Sequence, residues 1–450
     1  MKPGDKLELI AGDLAYGAAA VCRGPDGMVV FVPGLAPGDR ALVVIERVRS
    51  NHANGRTLEI RAPGPDRVTA PCPAYGTCGG CQWMHVSLAA QRSARERIVG
   101  RFLEGFMAVN PLGPIRFAGD GWAYRNRLIL PVRAGSGGFR AGFYRAGSHD
   151  IVGIESCAVQ RPELWEAART ALELLRSAGA SGYDEGTGAG WLRHLYIRLG
   201  AGTGELGVVL VTTDTEFPQS TAFARELMNR LPKVVGVLRN VNAARTNVIL
   251  GPRTSTLAGR GWIAEEIGGL RFRASLPAFF QANAEVTALL VDQIRKWTAS
   301  GARGGGVLDL YCGVGILGIS AAAAAGAERL AGVEESDSAV ADAEANAALI
   351  PGTKSSFEAG CVEDVLPRMP DSGRFDTVIA DPPRKGLVPD AMKAVLRLPA
   401  RRFICVSCDP ATLARDLKLL VAGGWKVREA VPFDMFPQTY HVETAVLLER

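Results

Sequence analysis

The 450-residue sequence has no apolar run that could cross a membrane, no apolar core behind its first basic residue, and no large excess of charge. A membrane-spanning helix needs roughly 18 or more apolar residues, and a secretory signal needs an apolar stretch after its basic start. We therefore expect a cytoplasmic protein without a membrane partner. The net charge of +5 comes from 51 basic and 46 acidic residues, an excess too small to indicate a nucleic-acid-binding arm.

Fixed-period repeats and long low-complexity tracts are also missing from the sequence. The hydrophobic share of 47% and the charged share of 22% are typical of a globular protein and exclude a disordered or fibrous chain. At about 100–200 residues per domain, the length predicts two to four domains. The nine cysteines of a chain expected in a reducing compartment indicate metal ligands or catalytic thiols rather than disulfides.

Three regions follow one another, and together they predict a multi-domain α/β protein. Residues 1–62 alternate short apolar runs with glycine and proline turns, which predicts a five-stranded barrel of the oligonucleotide-binding kind. Residues 63–265 begin with a proline-rich linker and combine a helix over 87–106 with strand-like runs, which predicts an α+β domain. From 266 to 450 strands alternate with helices, which predicts a Rossmann-like doubly wound domain.

A glycine-rich turn follows the first strand of the last region. Gly313 and Gly315 begin a match to G-x-G-x-x-G, and Glu334 stands at the distance expected of a ribose-binding acid. This spacing is ambiguous between a dinucleotide and S-adenosylmethionine. Two later motifs, Asp-Pro-Pro-Arg at 381–384 and Ser-Cys-Asp-Pro at 407–410, disfavour a nicotinamide-dependent oxidoreductase, because hydride transfer requires neither.

The later motifs carry residues suited to methylation of uracil at C5. Thiolate addition at C6 raises the electron density of C5, and a base must afterwards remove the C5 proton. We predict Cys408 as the nucleophile, Glu443 as the base and Asp381 as the group at the uracil N3/O4 edge. Cys408 precedes a predicted helix, whose N-terminus should lower the pKa of its thiol. His441 either orients Glu443 or is structural, and Arg384 replaces the aromatic residue that grips amines in methyltransferases acting on exocyclic amines.

The order and spacing of five motifs resemble those of the RNA 5-methyluridine methyltransferase family. The motifs are Phe-Phe-Gln-Ala-Asn at 279–283, Asp-Leu-Tyr-Cys-Gly-Val-Gly at 309–315, Asp-Pro-Pro-Arg at 381–384, Ser-Cys-Asp-Pro at 407–410 and the closing run at 436–443. The resemblance implies S-adenosylmethionine as the cofactor and a barrel of the TRAM type, an RNA-binding module. The residues expected to bind the cofactor are Gln281, Tyr311, Gly313, Gly315, Glu334 and Asp381. Ile316 and Cys361 depart from the polar residues of some relatives.

Four cysteines outside the catalytic motifs form a candidate metal site. Cys72, Cys78 and Cys81 are closely spaced, and Cys157 lies well downstream. Four thiolates can bind zinc or an iron–sulfur cluster, and the spacing leaves both open. The resemblance implies a [4Fe-4S] cluster, because iron–sulfur-bearing relatives have their ligands in this order. A radical S-adenosylmethionine enzyme is disfavoured, because such enzymes use C-x3-C-x2-C and leave one iron open.

RNA must present an unstacked base to these residues, since a stacked uracil cannot meet a buried thiol and a sulfonium together. The predicted RNA contacts are Arg125, Arg127 and Phe280 with its neighbour Phe279. A TRAM-like barrel together with the cluster favours 23S ribosomal RNA over transfer RNA, and we expect a monomer. A non-catalytic iron–sulfur RNA-binding protein is the alternative of another class, disfavoured by the intact Cys408 and Glu443.

Overall fold

The computed structural model describes residues 1–106, 112–135, 138–300, 304–369 and 375–450. Its strands form a closed barrel, a six-stranded sheet, a seven-stranded sheet and two short hairpins. Across these described residues, no helix is both long and apolar enough to span a bilayer.

A closed five-stranded barrel forms the N-terminal part of the molecule, which confirms the predicted architecture. Its strands are β1 (Lys6–Leu14), β2 (Ala19–Arg23), β3 (Val29–Pro33), β4 (Arg40–Val48) and β5 (His52–Ala62). They pair in the order β1-β2-β3-β5-β4, and β4 closes the barrel against β1. Because successive residues of a strand point to opposite faces, small and branched side chains such as Ala20, Val30 and Val43 fill the interior.

Helix α1 (Leu88–Leu103) lies between the barrel and the C-terminal domain. It begins after Ser87, whose hydroxyl accepts a hydrogen bond from the backbone N–H of Ala90 at 3.3 Å, as expected of a serine N-cap. Ile98 packs in the barrel core, whereas Leu103 packs in a core of the C-terminal domain. One helix therefore fixes the barrel against that domain.

The central region is built on a six-stranded sheet of order β13-β12-β11-β10-β6-β7. Its elements are β6 (Arg127–Gly135), β7 (Gly138–Ala141), β8 (Phe143–Tyr144), β9 (Ile151–Val152), α2 (Pro162–Ser177), β10 (Leu192–Leu199), β11 (Leu206–Thr212), α3 (Ser220–Arg230), β12 (Val234–Val241) and β13 (Arg253–Gly259). β8 and β9 form a separate hairpin. β10 and β11 are buried at every position, because helices α2 and α3 cover one face and the C-terminal core covers the other.

A hairpin of β14 (Trp262–Ile267) and β15 (Leu270–Ser275) connects the central and C-terminal regions. The domain border predicted between residues 265 and 266 falls inside β14. Arg273 donates to the carboxylate of Asp342 in the C-terminal domain at 2.8 Å. Periodicity changes near this border, but strand pairing and this ion pair make the hairpin one unit packed on the C-terminal domain.

The C-terminal domain has a Rossmann-like seven-stranded sheet, as predicted. Its elements are α4 (Ala284–Ala299), β16 (Gly306–Leu310), α5 (Ile316–Ala325), β17 (Arg329–Glu334), α6 (Asp337–Asn346), β18 (Lys354–Ala359), α7 (Val362–Val365), β19 (Phe375–Ala380), α8 (Pro389–Arg397), β20 (Arg402–Ser407), α9 (Pro410–Ala422), β21 (Lys426–Phe433) and β22 (Glu443–Glu449). The order is β18-β17-β16-β19-β20-β22-β21, and β22 runs antiparallel to both of its neighbours. Edge strand β18 is mostly exposed, so no apolar run marks it in the sequence.

Candidate active site

Three strand ends bring the predicted catalytic residues together. Asp381 follows β19 and Cys408 follows β20, and these neighbouring strands are parallel. Glu443 begins β22, which pairs with β20 so that Thr444 lies opposite Ser407. Cys408 and Glu443 therefore lie side by side, at the edge of the sheet where ligands bind in α/β folds.

A cavity of about 860 Å³ opens at this edge, a size typical of small-molecule sites. The predicted residues that line it are Arg125, Arg127, Gln281, Tyr311, Gly313, Glu334, Asp381, Cys408 and Glu443. Gly315 and Phe280 do not line it. A Cβ added to Gly315 would lie 2.8 Å from a carbon of Ile319, so this glycine permits close packing at the start of α5.

Asp381 and Glu443 are carboxyl groups with raised pKa values. Loss of hydration raises the pKa of Asp381 to about 7, although a hydrogen bond from the Gln281 side-chain amide at 3.1 Å opposes the shift. Glu443 is 3% exposed, and burial together with Asp381 raises its pKa well above the usual range. The Glu443 Oε1 atom has no hydrogen-bond partner among the described residues. The pair retains a proton near neutral pH, because two negative charges in one buried site repel each other.

The Cys408 thiol lies between these carboxyls and a cation. Burial and the carboxyl groups of Glu443 and Asp381 raise the pKa of Cys408 to about 12, whereas the Arg384 guanidinium lowers it. Helix α9 does begin directly after Cys408, with Asp409 as its N-cap. The prediction of a lowered thiol pKa is nevertheless wrong for the site as a whole, because burial and two carboxyls outweigh the helix. Arg384 is the cation that counteracts them.

His441 contacts Arg384 rather than Glu443. Nη2 of Arg384 donates to Nδ1 of His441 at 2.9 Å. Burial and the charge of Arg384 lower the pKa of His441 to about 4, so the ring is neutral at neutral pH. Its ring also contacts the ring of Tyr440, with centroids 4.1 Å apart. Of its two predicted roles, the structure favours a structural one beside Arg384.

The glycine-rich turn has the backbone that its sequence requires. Gly313 and Gly315 have φ values of 54° and 88°, and Tyr311 has a φ of 61°, which is uncommon for a residue with a side chain. The Glu334 carboxylate accepts hydrogen bonds from the backbone N–H groups of Gly313 at 3.1 Å and Ser336 at 3.0 Å. Strained backbone of this kind clusters at ligand sites. The turn and Glu334 therefore form one preorganised wall of the cavity.

The four predicted metal-ligating cysteines line a second cavity of about 260 Å³. They are Cys72, Cys78, Cys81 and Cys157. Burial and the three other thiols raise the pKa of Cys81 to about 12. Within the described part of the chain, no group of three or more His, Cys, Asp or Glu side chains is arranged to hold one metal ion. Arg125 and Arg127 line both this cavity and the larger one.

The adjacent phenylalanines 279 and 280 have opposite environments. Phe280 is 5% exposed and belongs to the hydrophobic core, so its predicted contact with RNA is wrong. Phe279 is 60% exposed and lines the large cavity. The guanidinium of Arg127 lies 5.9 Å from the centre of the Phe279 ring. Sequence alone does not separate these neighbours, because a backbone turn decides which ring points inward.

The loop between β21 and β22 is held by residues of α1 that belong to none of the sequence motifs. Arg95, buried in α1, donates to the carbonyls of Phe436 at 3.2 Å and His441 at 3.0 Å. Gln91 and Gln438 exchange two hydrogen bonds of 2.9 and 3.0 Å. The sequence feature that could have indicated this role is the pair Gln91 and Arg95, two polar residues four positions apart on α1. Their burial depends on a loop more than 300 residues later.

Comparisons with known proteins agree with this site. The family model described as tRNA (Uracil-5-)-methyltransferase matches residues 369–450, and the model described as Methyltransferase small domain matches residues 275–400. A protein of Bacillus cereus described as an uncharacterized RNA methyltransferase is 37% identical over 99% of this chain and 96% of its own length. A protein of Halalkalibacterium halodurans with the same description is 38% identical over 99% of this chain and 97% of its own length.

A solved structure of a tRNA methyltransferase matches nearly the whole chain. It is Pyrococcus abyssi tRNA (uracil-54, C5)-methyltransferase in complex with S-adenosyl-L-homocysteine, with a TM-score of 0.77 and 26% identity. The match covers 98% of this chain and 100% of that chain. With relatives above 30% identity over almost their full length, the chain belongs to the RNA uracil-5-methyltransferase family.

Proposed function

We propose that the protein transfers a methyl group from S-adenosylmethionine to C5 of a uridine in RNA, most specifically in 23S ribosomal RNA. The observation that supports this reaction is that Cys408, Glu443 and Asp381 line the same cavity as the glycine-rich turn. An RNA-binding protein without catalysis has no need of a thiol placed between two carboxyls and an arginine.

The residues around the glycine-rich turn suit S-adenosylmethionine. Glu334 has carboxylate oxygens for ribose hydroxyls, and a Cβ added to Gly313 would meet no atom within 4 Å, so open space lies beside the turn. Gln281 and Tyr311 line the same cavity. When bound, S-adenosylmethionine supplies the methyl group and a positive sulfonium charge.

Cys408 acts as the nucleophile in this proposal. After the thiol gives its proton to solvent, its sulfur forms a bond to C6 of uracil, and the C5–C6 electron pair moves toward O4 to give an enolate. Arg384 favours the thiolate. Asp381 binds the N3/O4 edge, because the Gln281 amide bonds only one of its carboxylate oxygens, Oδ2. The electron-rich C5 would then take the methyl group as its bond to the sulfonium sulfur breaks, which would leave S-adenosylhomocysteine.

Glu443 acts as the base that completes the reaction. It takes the C5 proton, the C5–C6 double bond forms again, and the Cys408 sulfur leaves as thiolate. Glu443 takes this proton in its ionised form, so the proton that the pair retains near neutral pH lies on Asp381 at this step. A raised pKa makes the ionised Glu443 a stronger base than an exposed glutamate, and its unpartnered Oε1 is free to accept the proton. His441, neutral and bonded to Arg384, takes no part in this transfer.

We further propose that Cys72, Cys78, Cys81 and Cys157 bind a [4Fe-4S] cluster with a structural role. Four thiols line one cavity, and the donor set suits iron. A single zinc ion would need sulfurs at about 2.3 Å from one centre, and the described residues include no such group. A [4Fe-4S] cluster would take one cysteine thiolate at each of its four irons, so the four cysteine sulfurs would lie farther apart than around a single zinc ion.

Two observations bear on the RNA. The barrel together with the four-cysteine cavity supports 23S ribosomal RNA. The whole-chain similarity to the Pyrococcus abyssi tRNA enzyme supports transfer RNA as the second candidate. Sequencing 5-methyluridine sites in ribosomal and transfer RNA from cells with and without the gene separates the two. We expect one site to disappear from 23S RNA, and loss confined to transfer RNA would overturn that assignment.

A trapping experiment tests the chemistry. RNA with 5-fluorouridine at the target should form a covalent methylated adduct, because fluorine cannot leave as a proton does. Cys408→Ala should form no adduct, and Glu443→Gln should accumulate an adduct even with ordinary uridine. Cys405→Ala is the matched control, since Cys405 is a core residue three positions earlier. An adduct with Cys408→Ala would refute the mechanism.

A further inference from the structure

A tyrosine of the barrel reaches the residue that follows the proposed nucleophile. Tyr16 lies in the turn between β1 and β2, and its hydroxyl donates to Oδ2 of Asp409 at 2.8 Å, across 393 positions of sequence. The turn itself is held by the Trp83 indole, which donates to the carbonyl of Ala18 at 3.3 Å. The barrel thus places one side chain directly against the catalytic loop.

Asp409 also caps helix α9, so its contact with Tyr16 links the barrel to the start of that helix. Its Oδ1 accepts hydrogen bonds from the backbone N–H groups of Ala411 and Thr412, each at 3.0 Å, and so caps helix α9. The other oxygen is the acceptor for Tyr16. Both oxygens of the residue next to Cys408 are therefore engaged, one by the helix and one by the barrel.

Tyr16 also contacts Tyr440, which packs against the residues beside the Cys408 thiol. Its ring meets the edge of Tyr440 with centroids 5.3 Å apart, and Tyr440 in turn packs against His441 at 4.1 Å. His441 accepts a hydrogen bond from Arg384, the cation beside Cys408. The barrel side chain consequently touches both the loop that carries the thiol and the residues that hold its counter-charge.

We propose that Tyr16 is a positioning residue of the active site, so that the docked barrel sets the orientation of the Cys408 loop and of Arg384. This inference rests on the proposed uracil-C5 methylation. A barrel that served only to hold RNA would affect substrate binding and leave the thiol unchanged. A barrel that positions the thiol affects the chemical step and the reactivity of Cys408 without RNA.

The test uses the full-length protein with Tyr16→Phe, which removes the hydroxyl and keeps the ring. Loss of a hydrogen bond to a carboxylate should lower kcat about tenfold while KM for RNA stays within about twofold. Cys408 should react with iodoacetamide more slowly in Tyr16→Phe than in the wild type at each alkaline pH. The labelling is measured without RNA, by peptide mass spectrometry across a pH series.

A double variant tests whether Tyr16 acts through Asp409. Asp409→Asn keeps the helix cap, and the double variant should lose no more activity than the more impaired single variant.

Tyr183→Phe is the matched control, because it removes a hydroxyl from a buried tyrosine of the central region, in the connection between α2 and β10, and should change neither readout. A raised KM with unchanged kcat and unchanged labelling of Tyr16→Phe would overturn the proposal, and so would additive effects of Tyr16→Phe and Asp409→Asn. If the wild type methylates no uracil, the proposed function fails. The labelling of Cys408 still decides whether Tyr16 controls the thiol.

Discussion

The guanidinium of Arg95 and the carboxylate of Asp434 lie 3.1 Å apart, and both side chains are completely buried. Arg95 belongs to α1, whereas Asp434 begins the loop that leads to Glu443. The same guanidinium donates to backbone carbonyls further along this loop. This buried cation, together with Gln91, therefore holds the path of the chain that delivers the proposed base.

Replacing Arg95 should damage stability and catalysis together. In Arg95→Met, the partly exposed Arg92 is the ion-pair partner that Asp434 keeps among the described residues, and the loop carbonyls lose the Arg95 donor. Breaking a buried ion pair costs about 3–5 kcal/mol, which urea unfolding should detect. Arg97→Met, on the exposed side of the same helix, should cost less than about 1 kcal/mol. Equal unfolding midpoints for the two variants would contradict this account.

The stability of the protein should fall as pH rises through the titration of Asp381. The folded-state pKa of about 7 lies above the ordinary 3.8. The contribution of Asp381 is therefore complete below about pH 4 and is lost as pH rises through 7. Asp381→Asn should match the wild type near pH 4 and exceed its free energy of unfolding at pH 8 by about 2–4 kcal/mol.

Urea unfolding at the two pH values provides the measurement, and the exposed Asp390→Asn should show no gain at pH 8. An equal gain from Asp381→Asn at both pH values would mean that the substitution acts through packing rather than ionisation. Activity of Asp381→Asn should be lost even where stability improves, because asparagine has one acceptor oxygen where the carboxylate has two, one for the Gln281 amide and one for uracil.

The two neighbouring phenylalanines should respond in opposite ways to alanine. Phe279→Ala should weaken RNA binding by about tenfold, the value of one base stacked on an aromatic ring, with little change in unfolding. Phe280→Ala should lower the free energy of unfolding by about 3–5 kcal/mol, because it opens a cavity in the core. RNA binding measured by filter retention, together with urea unfolding, distinguishes them. A large loss of stability in Phe279→Ala would contradict the assigned exposure.

The cysteine cavity should take up iron and sulfide. After anaerobic reconstitution, the wild type should contain about four iron atoms and four acid-labile sulfides per chain. Cys81→Ser should lose most of both, since Cys81 interacts with the three other thiols. Cys361→Ser, at the other cavity, should retain them. One zinc atom per chain, without sulfide, would exclude the cluster.

Much of the fold was predictable because its signals are local. The apolar alternation around Val30 and Val43 marks barrel strands, and the turn from Tyr311 to Gly315 marks the start of a Rossmann-like sheet. β18 was not predictable, because a mostly exposed edge strand has no apolar pattern. The proposed border near residue 266 falls within β14, because a change in periodicity does not reveal that β14 pairs with β15.

The candidate site divides in the same way. Cys408, Glu443 and Asp381 could be chosen from motifs, because each lies at the end of a recognisable strand. The contact of Tyr16 with Asp409 could not be inferred, because it joins two turns whose distance depends on how α1 seats the barrel. The partners of Arg95 could not be inferred either, because they lie in a loop more than 300 positions later in the sequence.

By itself, the sequence determined which chemical groups are present and at which strand ends they stand, since backbone propensity and side-chain periodicity act over a few residues. Only the tertiary structure decided their environment. It placed Phe279 outside and Phe280 inside, raised the pKa of Cys408 where its helix alone would lower it, and brought a barrel tyrosine against the catalytic loop. Burial and charge interactions depend on distances through space, and folding sets those distances between residues hundreds of positions apart.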